Sequence, residues 1–176
     1  MFYSWVLKHV VILDVMVLAS FYLIRVMAGA IAIQVQMSAW LFLCTAFLAL
    51  FLGFHKRRAE LVHRGDQSSS RKSLRRYNVR MLDQYLGIAT TGVVLSYALY
   101  TVQGAATSWM TLTIPLVLFG VFRYIWLVEH RGEGEAPDET LIRDVPILLT
   151  GMLYGAMAVA ILYAHANQWL PELFLR

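Results

Sequence analysis

Five long apolar runs, separated by polar or charged segments, form the main pattern along the chain. A helix rises about 1.5 Å per residue, so about 20 apolar residues cross a hydrocarbon core of about 30 Å. The runs that satisfy this rule lie at about 10–33, 38–54, 82–102, 109–128 and 145–164. The second run is the shortest, so hydropathy defines its limits least well. The pattern predicts an all-α fold in which residues 1–176 form a single polytopic transmembrane bundle of about five helices.

Composition supports a membrane protein. Hydrophobic residues make up 59% of the chain and charged residues only 15%, which lies outside the balance of soluble globular domains. The single cysteine, Cys44, excludes an intramolecular disulfide. Asp14 and Arg25 interrupt the first apolar run, and no small-residue cleavage site follows a compact apolar core, so we expect the first helix to be retained.

The distribution of lysine and arginine predicts the orientation, because basic residues near helix ends are retained on the cytoplasmic side. Nine of the 15 basic residues lie between Lys56 and Arg80, whereas the connections 34–37 and 103–108 contain none. With five spans, this alternation places the N-terminus and the loops 55–81 and 129–144 in the cytoplasm. The C-terminus then lies outside, and the expected location is the inner or plasma membrane.

Two ionisable residues lie within the first predicted helix. Asp14 and Arg25 are eleven residues apart, which places them on the same helix face about 16 Å from each other along the axis. They cannot pair with each other, so each needs a partner on another helix or a hydrated cavity. An ion pair between helices is one explanation for Arg25. Asp14, nearer the cytoplasmic end, is the candidate for an active cavity.

Two further groups of polar residues lie where helices leave the membrane. Lys56, Arg57 and Arg58 are consecutive, so they fan out around a helix end and could surround a pyrophosphate group. Equally, basic residues at such a position anchor a helix to anionic headgroups. Arg123 and Tyr124 lie near the cytoplasmic end of the fourth span, where the arginine either snorkels or closes a cavity. No phosphate-binding loop or metal-binding motif of soluble enzymes occurs, and nothing indicates a nucleic-acid partner.

Several dispersed segments resemble the UbiA-type prenyltransferase superfamily. The segments that carry this resemblance are 3–15, 21–30, 38–40 and 56–61, the last reading Lys56-Arg57-Arg58-Ala59-Glu60-Leu61. Segments 74–84, 97–101, 113–124 and 136–146 are similar to one branch, the decaprenyl-phosphate phosphoribosyltransferases. The similar segments cover nearly the whole chain and include loop residues, which chance similarity between apolar helices would not reproduce.

The resemblance implies transfer of 5-phosphoribose from phosphoribosyl pyrophosphate to a polyprenyl (decaprenyl) phosphate, assisted by Mg²⁺, in the synthesis of an arabinan precursor of the cell envelope. By the same resemblance, Lys8 and the cluster Lys56-Arg57-Arg58 would hold the donor phosphates. Asp14 would orient a cation or the ribose, and Arg123 and Tyr124 would border the cavity. Another prenyltransferase of the UbiA type is an alternative within the same superfamily.

The chain also departs from that family, whose members have about nine spans and an early Asn-Asp-x-x-Asp-x-x-x-Asp metal motif. This motif is missing, and the five spans look like the C-terminal five of the family, so no metal ligand is assigned here. We therefore expect a fragment, a truncated gene product or one part of a split enzyme with a separate N-terminal half. Such a chain is expected not to catalyse the transfer alone. The alternative is an inactive membrane protein with a residual groove for a lipid phosphate.

Overall fold

The computed structural model describes residues 12–34, 37–64, 77–131 and 141–169, and within these ranges it contains helices and no strand. Its five long helices are α1 (Leu13–Ala32), α2 (Ala39–Arg64), α3 (Val79–Leu99), α4 (Ile114–Arg131) and α5 (Val145–Ala166). Each belongs to a helical segment long and apolar enough to cross a membrane. The predicted all-α bundle with five spanning helices is confirmed, and the chain is a multi-pass membrane protein.

Helix α2 differs most from the prediction, because it continues ten residues beyond the predicted end at Phe54, as far as Arg64. Hydropathy falls at His55, but residues 56–61 include Lys, Arg, Ala, Glu and Leu, which all have high helix propensity. Residues 55–64 of the predicted loop 55–81 are therefore helical. Of the two predicted loops, 65–76 and 132–140 lie outside the described residues.

Irregular helical turns join α3 to α4. Helix α3 passes into a π-helical turn at Tyr100–Gly104, and a 3₁₀-helix at Ser108–Thr113 precedes α4. Pro115 consequently lies in the first turn of α4, where its missing N–H and fixed φ are tolerated.

Side-chain caps fix the starts of two helices at the same end of the bundle. The Oδ1 atom of Asn78 accepts a hydrogen bond from the backbone N–H of Arg80 at 3.1 Å at the start of α3. The Oδ1 atom of Asp144 accepts from the N–H of Ile147 at 3.1 Å at the start of α5, with Pro146 in the first turn. Such caps satisfy backbone donors that have no partner within the helix.

The main hydrophobic core lies where α1, α2, α3 and α4 meet near this capped end. Its buried residues are Val15, Phe51, Phe54, Tyr77, Leu82, Leu86, Ala89, Val93, Val121, Tyr124 and Val128. Helices α2 and α3 have the most extensive contact in the bundle, α1 packs on α2, and α5 packs on α4. The charged groups described below surround this core.

Large apolar side chains are exposed along the outer helices. On α5, Met152 is 63% exposed and Val159 is 68% exposed, and only Ile161 of that helix is buried. In water such a surface would drive aggregation, whereas in a bilayer it faces acyl chains of the same polarity. The exposed surface of the bundle therefore agrees with its placement in a membrane.

Candidate functional site

A buried ion pair joins the first two helices. Asp14, in the first turn of α1, is 1% exposed, and Arg57 of α2 is 3% exposed. The Nε atom of Arg57 donates to Oδ2 of Asp14 at 2.9 Å, and its Nη1 atom donates to Oε2 of Glu60 at 2.7 Å. Arg57 thus lies between two carboxylates, and its guanidinium is directed into the protein. The partner that Asp14 was expected to need on another helix is Arg57.

Tyr77, which precedes α3, completes this cluster. Its hydroxyl donates to Oδ1 of Asp14 at 2.8 Å and accepts from the backbone N–H of Ile12 at 2.6 Å. Burial raises the pKa of the Tyr77 phenol, and the neighbouring Asp14 carboxylate raises this pKa further. The phenol therefore stays protonated and can keep donating. We refer to Asp14, Arg57, Glu60 and Tyr77 as the α1–α2 polar cluster.

Arg58, the next residue of α2, connects to α3 and α4 instead. Its Nε atom donates to Oδ1 of Asp83 at 2.6 Å, and its Nη2 atom lies 2.9 Å from Oε1 of Glu129. Both carboxylates are nearly half exposed, so these pairs are weaker than the buried pair of Arg57. Arg57 and Arg58 thus bind carboxylates on α1, α3 and α4 and one carboxylate within α2 itself.

A cavity of about 460 Å³ lies beside Arg58 and is lined by residues of α2, α3 and α4. His55, Arg58, Asp83 and Glu129 contribute its charged and polar lining, and Thr90 and Thr91 line it further along α3. His55 is 2% exposed, and neither ring nitrogen has a hydrogen-bond partner among the described residues. A polar ring buried in this way is costly unless something binds it, so this wall of the cavity is a candidate for ligand contact.

The residues predicted near the end of α4 occupy two different environments. Arg123 makes a two-pronged pair with Asp144, with Nε to Oδ1 at 3.2 Å and Nη2 to Oδ2 at 2.9 Å. Its guanidinium carbon also lies 4.6 Å from the centre of the Trp126 ring. Tyr124 is 2% exposed, and its ring centre is 5.3 Å from that of His55. Tyr124 therefore packs against His55, whereas Arg123 holds the start of α5 through Asp144.

The remaining predicted site residues are Lys56 and Lys8. Lys56 is exposed and forms no ion pair with any described residue. Lys8 lies outside the described residues. Of the predicted cluster Lys56-Arg57-Arg58, the structure therefore directs the two arginines towards protein carboxylates and leaves Lys56 on the surface.

The described residues do not fit a magnesium site. Mg²⁺ is held through oxygen ligands, chiefly carboxylates together with substrate phosphates and water. The described carboxylates are all paired with arginine: Asp14 and Glu60 with Arg57, Asp83 and Glu129 with Arg58, and Asp144 with Arg123. No group of three His, Cys, Asp or Glu side chains suited to a metal occurs in these ranges.

Sequence reasoning did not assign to the site several residues that the structure brings there. Tyr77, Asp83, Glu129 and Asp144 all bind a predicted site residue directly. Each lies at a helix end beside an apolar run, where an acid or a tyrosine reads as an ordinary solvated residue. Tyr77, Asp83 and Asp144 do fall within the segments that resemble the phosphoribosyltransferase branch, and this was the available signal.

Comparison with known proteins identifies the relatives of this chain. No protein-family model matches it. A decaprenyl-phosphate phosphoribosyltransferase of Corynebacterium glutamicum is 30% identical over 167 residues, which cover 92% of this chain and 49% of the relative. A protein of the same name from Mycobacterium tuberculosis is 32% identical over 158 residues, 88% of this chain and 52% of the relative. The chain is a homologue of these transferases.

A third relative gives the same result. The decaprenyl-phosphate phosphoribosyltransferase of Mycolicibacterium smegmatis is 28% identical over 175 residues, with 92% of this chain and 55% of the relative covered. The resemblance seen in the sequence is thereby confirmed. The chain spans about half the length of the curated relatives that it matches.

Proposed function

We propose that this chain carries part of a site that transfers 5-phosphoribose from phosphoribosyl pyrophosphate to polyprenyl (decaprenyl) phosphate, in the synthesis of an arabinan precursor. The observation that carries the proposal is the homology, which extends over about nine-tenths of the chain to transferases named for this reaction. The site's polar groups are of a kind that this reaction needs, because both substrates carry phosphates.

The polar groups lie together at one end of the bundle, which supports a single reactive face. Asp14 begins α1, Arg57 and Arg58 lie near the end of α2, Asp83 lies near the start of α3, and Glu129 lies near the end of α4. We propose that this end faces the cytoplasm, with the N-terminus inside, in the inner or plasma membrane. A water-soluble donor can reach it from the cytoplasm, and a lipid acceptor can reach it from the bilayer.

In the reaction, an oxygen of the acceptor phosphate forms a bond to C1 of the ribose while the bond from C1 to pyrophosphate breaks. Pyrophosphate leaves with the bonding electrons, so cations near it stabilise the developing charge. Of the residues that the resemblance assigns to the donor phosphates, Lys56 is the described one that is exposed and bound to no described carboxylate. Lys8 is proposed for the same role from the resemblance alone.

The arginines have a different proposed role. Arg57 fixes the orientation of this end of α2 through Asp14 and Glu60, and Arg58 fixes α2 against α3 and α4. Asp14 is then a residue that positions α2, and its part in orienting the ribose remains a proposal from the resemblance. Arg58 would border the ligand cavity, Tyr124 would pack behind His55 in the cavity wall, and Arg123 would hold the start of α5 through Asp144.

No step of this proposal uses a metal. Mg²⁺ is implied by the resemblance, and its ligands would have to come from outside the described residues, because all described carboxylates are paired with arginine. The pairing of these carboxylates with arginine also favours a second candidate function, which is binding of a lipid phosphate at Lys56 and the cavity without catalysis. In such a chain, too, the carboxylates would serve only to hold helices together.

The proposal is tested by donor binding to the chain in lipid nanodiscs, measured by equilibrium dialysis with labelled phosphoribosyl pyrophosphate. Lys56→Ala should weaken donor binding about tenfold or more, since a hydrogen bond to a charged group contributes about 1.5–3 kcal/mol. Arg80→Ala, which removes another exposed cation, is the matched control and should leave the affinity unchanged. Lys56 would be only a headgroup anchor if Arg80→Ala weakened donor binding as much as Lys56→Ala does. The same conclusion would follow if Lys56→Ala weakened the binding of the lipid phosphate as much as the binding of the donor.

A further inference from the structure

Helix α1 is covered by the rest of the bundle only along its first half. Its buried residues are Asp14, Val15 and Ala19, and no residue after Ala19 is buried. Of the residues from Ser20 to Ala32, only Leu23 and Ala30 are even partly covered. The second half of α1 therefore presents most of its circumference to its surroundings.

Arg25 lies on this uncovered half. It is twelve residues after Leu13 and seven before Ala32, so it lies about 18 Å from one end of the helix and about 10 Å from the other. It is exposed and forms no ion pair with a described residue, and the described carboxylates are all bound to other arginines. An arginine at membrane depth costs at least about 2.5–3.5 kcal/mol when it has no partner, and such residues normally face protein or water.

The residues that follow Arg25 on the same side of α1 are small. Ala28, Gly29 and Ala32 follow it by three, four and seven positions, which places all of them on one helix face. All are exposed, and a Cβ atom at Gly29 would meet no other atom within 4 Å. Small residues allow the backbone of a second helix to approach closely in a membrane. This part of α1 thus combines small side chains with a cation that has no ion-pair partner among the described residues, and we name it the Arg25 face.

We propose that the Arg25 face (Arg25, Ala28, Gly29 and Ala32) is a docking surface for a further transmembrane helix, outside the five described, that carries a carboxylate at the level of Arg25. Charge complementarity favours this occupant over lipid, because acyl chains offer the guanidinium no acceptor. It also favours this occupant over a second copy of the chain, since the described spans of a copy would bring only carboxylates that already bind arginine. The inference does not depend on the proposed function.

The test uses the labelled chain and synthetic transmembrane peptides in phosphatidylcholine vesicles, with association measured by Förster transfer. The peptides are leucine-alanine helices that carry aspartate, asparagine or leucine at the central position, at a dilution where they do not pair with one another. The aspartate peptide should bind about tenfold more tightly than the leucine peptide, since a polar contact between membrane helices contributes about 1–2 kcal/mol. The asparagine peptide should lie between them.

Variants of the chain separate this explanation from others. Arg25→Leu should abolish the preference for aspartate, Arg25→Lys should keep part of it, and Gly29→Phe should weaken the binding of all three peptides. Arg80→Leu, at the start of α3, is the control and should change nothing. The proposal is overturned if the aspartate and leucine peptides bind equally, which would mean that Arg25 reaches the lipid headgroups. It is also overturned if chains associate with each other through this face and exclude the peptides.

Discussion

Replacing Asp14 by asparagine removes the carboxylate that accepts from Arg57 at 2.9 Å and from Tyr77 at 2.8 Å. Removing one partner of a buried ion pair usually costs about 3–5 kcal/mol, because the other charge is left buried. Arg57 would still bind Glu60 at 2.7 Å, so we expect Asp14→Asn to fall near the lower end, at about 3 kcal/mol. Arg57→Met leaves two carboxylates without their cation and should cost about 5 kcal/mol.

The measurement is equilibrium unfolding in mixed micelles, followed by far-ultraviolet circular dichroism, for the single variants and the double variant. Because the double variant removes both charges of the pair, it should lose less stability than the sum of the single changes. Asp83→Asn is the matched control: this carboxylate also binds an arginine, but it is 49% exposed, so its loss should cost at most about 1 kcal/mol. The reasoning is refuted if Asp14→Asn and Asp83→Asn have equal effects, or if the two changes at Asp14 and Arg57 are additive.

Three further outcomes follow from the structure. Gly92→Ala should destabilise the contact between α2 and α3 by about 1–3 kcal/mol, because its Cβ would overlap the Phe47 ring, whereas Gly87→Ala meets open space and should be tolerated in the same unfolding assay. The free energy of unfolding should fall as the pH rises above about 10, the pKa of an unfolded tyrosine, because the folded state keeps the Tyr77 proton. Tyr77→Phe should make this decrease with pH less steep. An unchanged pH dependence in the variant would count against the raised pKa of Tyr77. In sealed vesicles of a Cys44→Ser background, Arg80→Cys should react with thiol reagents only from the cytoplasmic side and Gln103→Cys only from the outside, and the reverse pattern would invert the proposed orientation.

The number and approximate position of the helices could be predicted from the sequence, because an apolar run of about 20 residues in a chain this hydrophobic indicates a membrane-spanning helix. Local chemistry accounts for the start of α5 at Val145, since Asp144 followed by Pro146 is a helix-initiating pattern. The extent of α2 was not predicted correctly. The apolar run ends before His55, but the charged residues that follow are good helix formers, and ion pairs hold them against other helices.

The pairing of the candidate site residues could be predicted only in part. Helical periodicity showed that Asp14 and Arg25 cannot pair, and that each requires a partner elsewhere. It could not identify Arg57 as the partner of Asp14, because the two are 43 residues apart in sequence and their contact depends on how α1 packs on α2. The fan of cations at the end of α2 was visible in the sequence. The carboxylates that bind two of those cations come from four helices, and no local pattern encodes such an arrangement.

The central claim, that this chain contributes to phosphoribosyl transfer, is tested most directly by transfer of label from ribose-labelled phosphoribosyl pyrophosphate to decaprenyl phosphate in membranes. The chain is assayed alone and co-expressed with the N-terminal half of a complete relative, with the complete relative as the positive control and magnesium in the buffer. We expect labelled lipid only with the co-expressed half, and an increase of about tenfold in the donor KM for Lys56→Ala. Absence of labelled lipid in the co-assembled sample, while the complete relative is active, would contradict the claim.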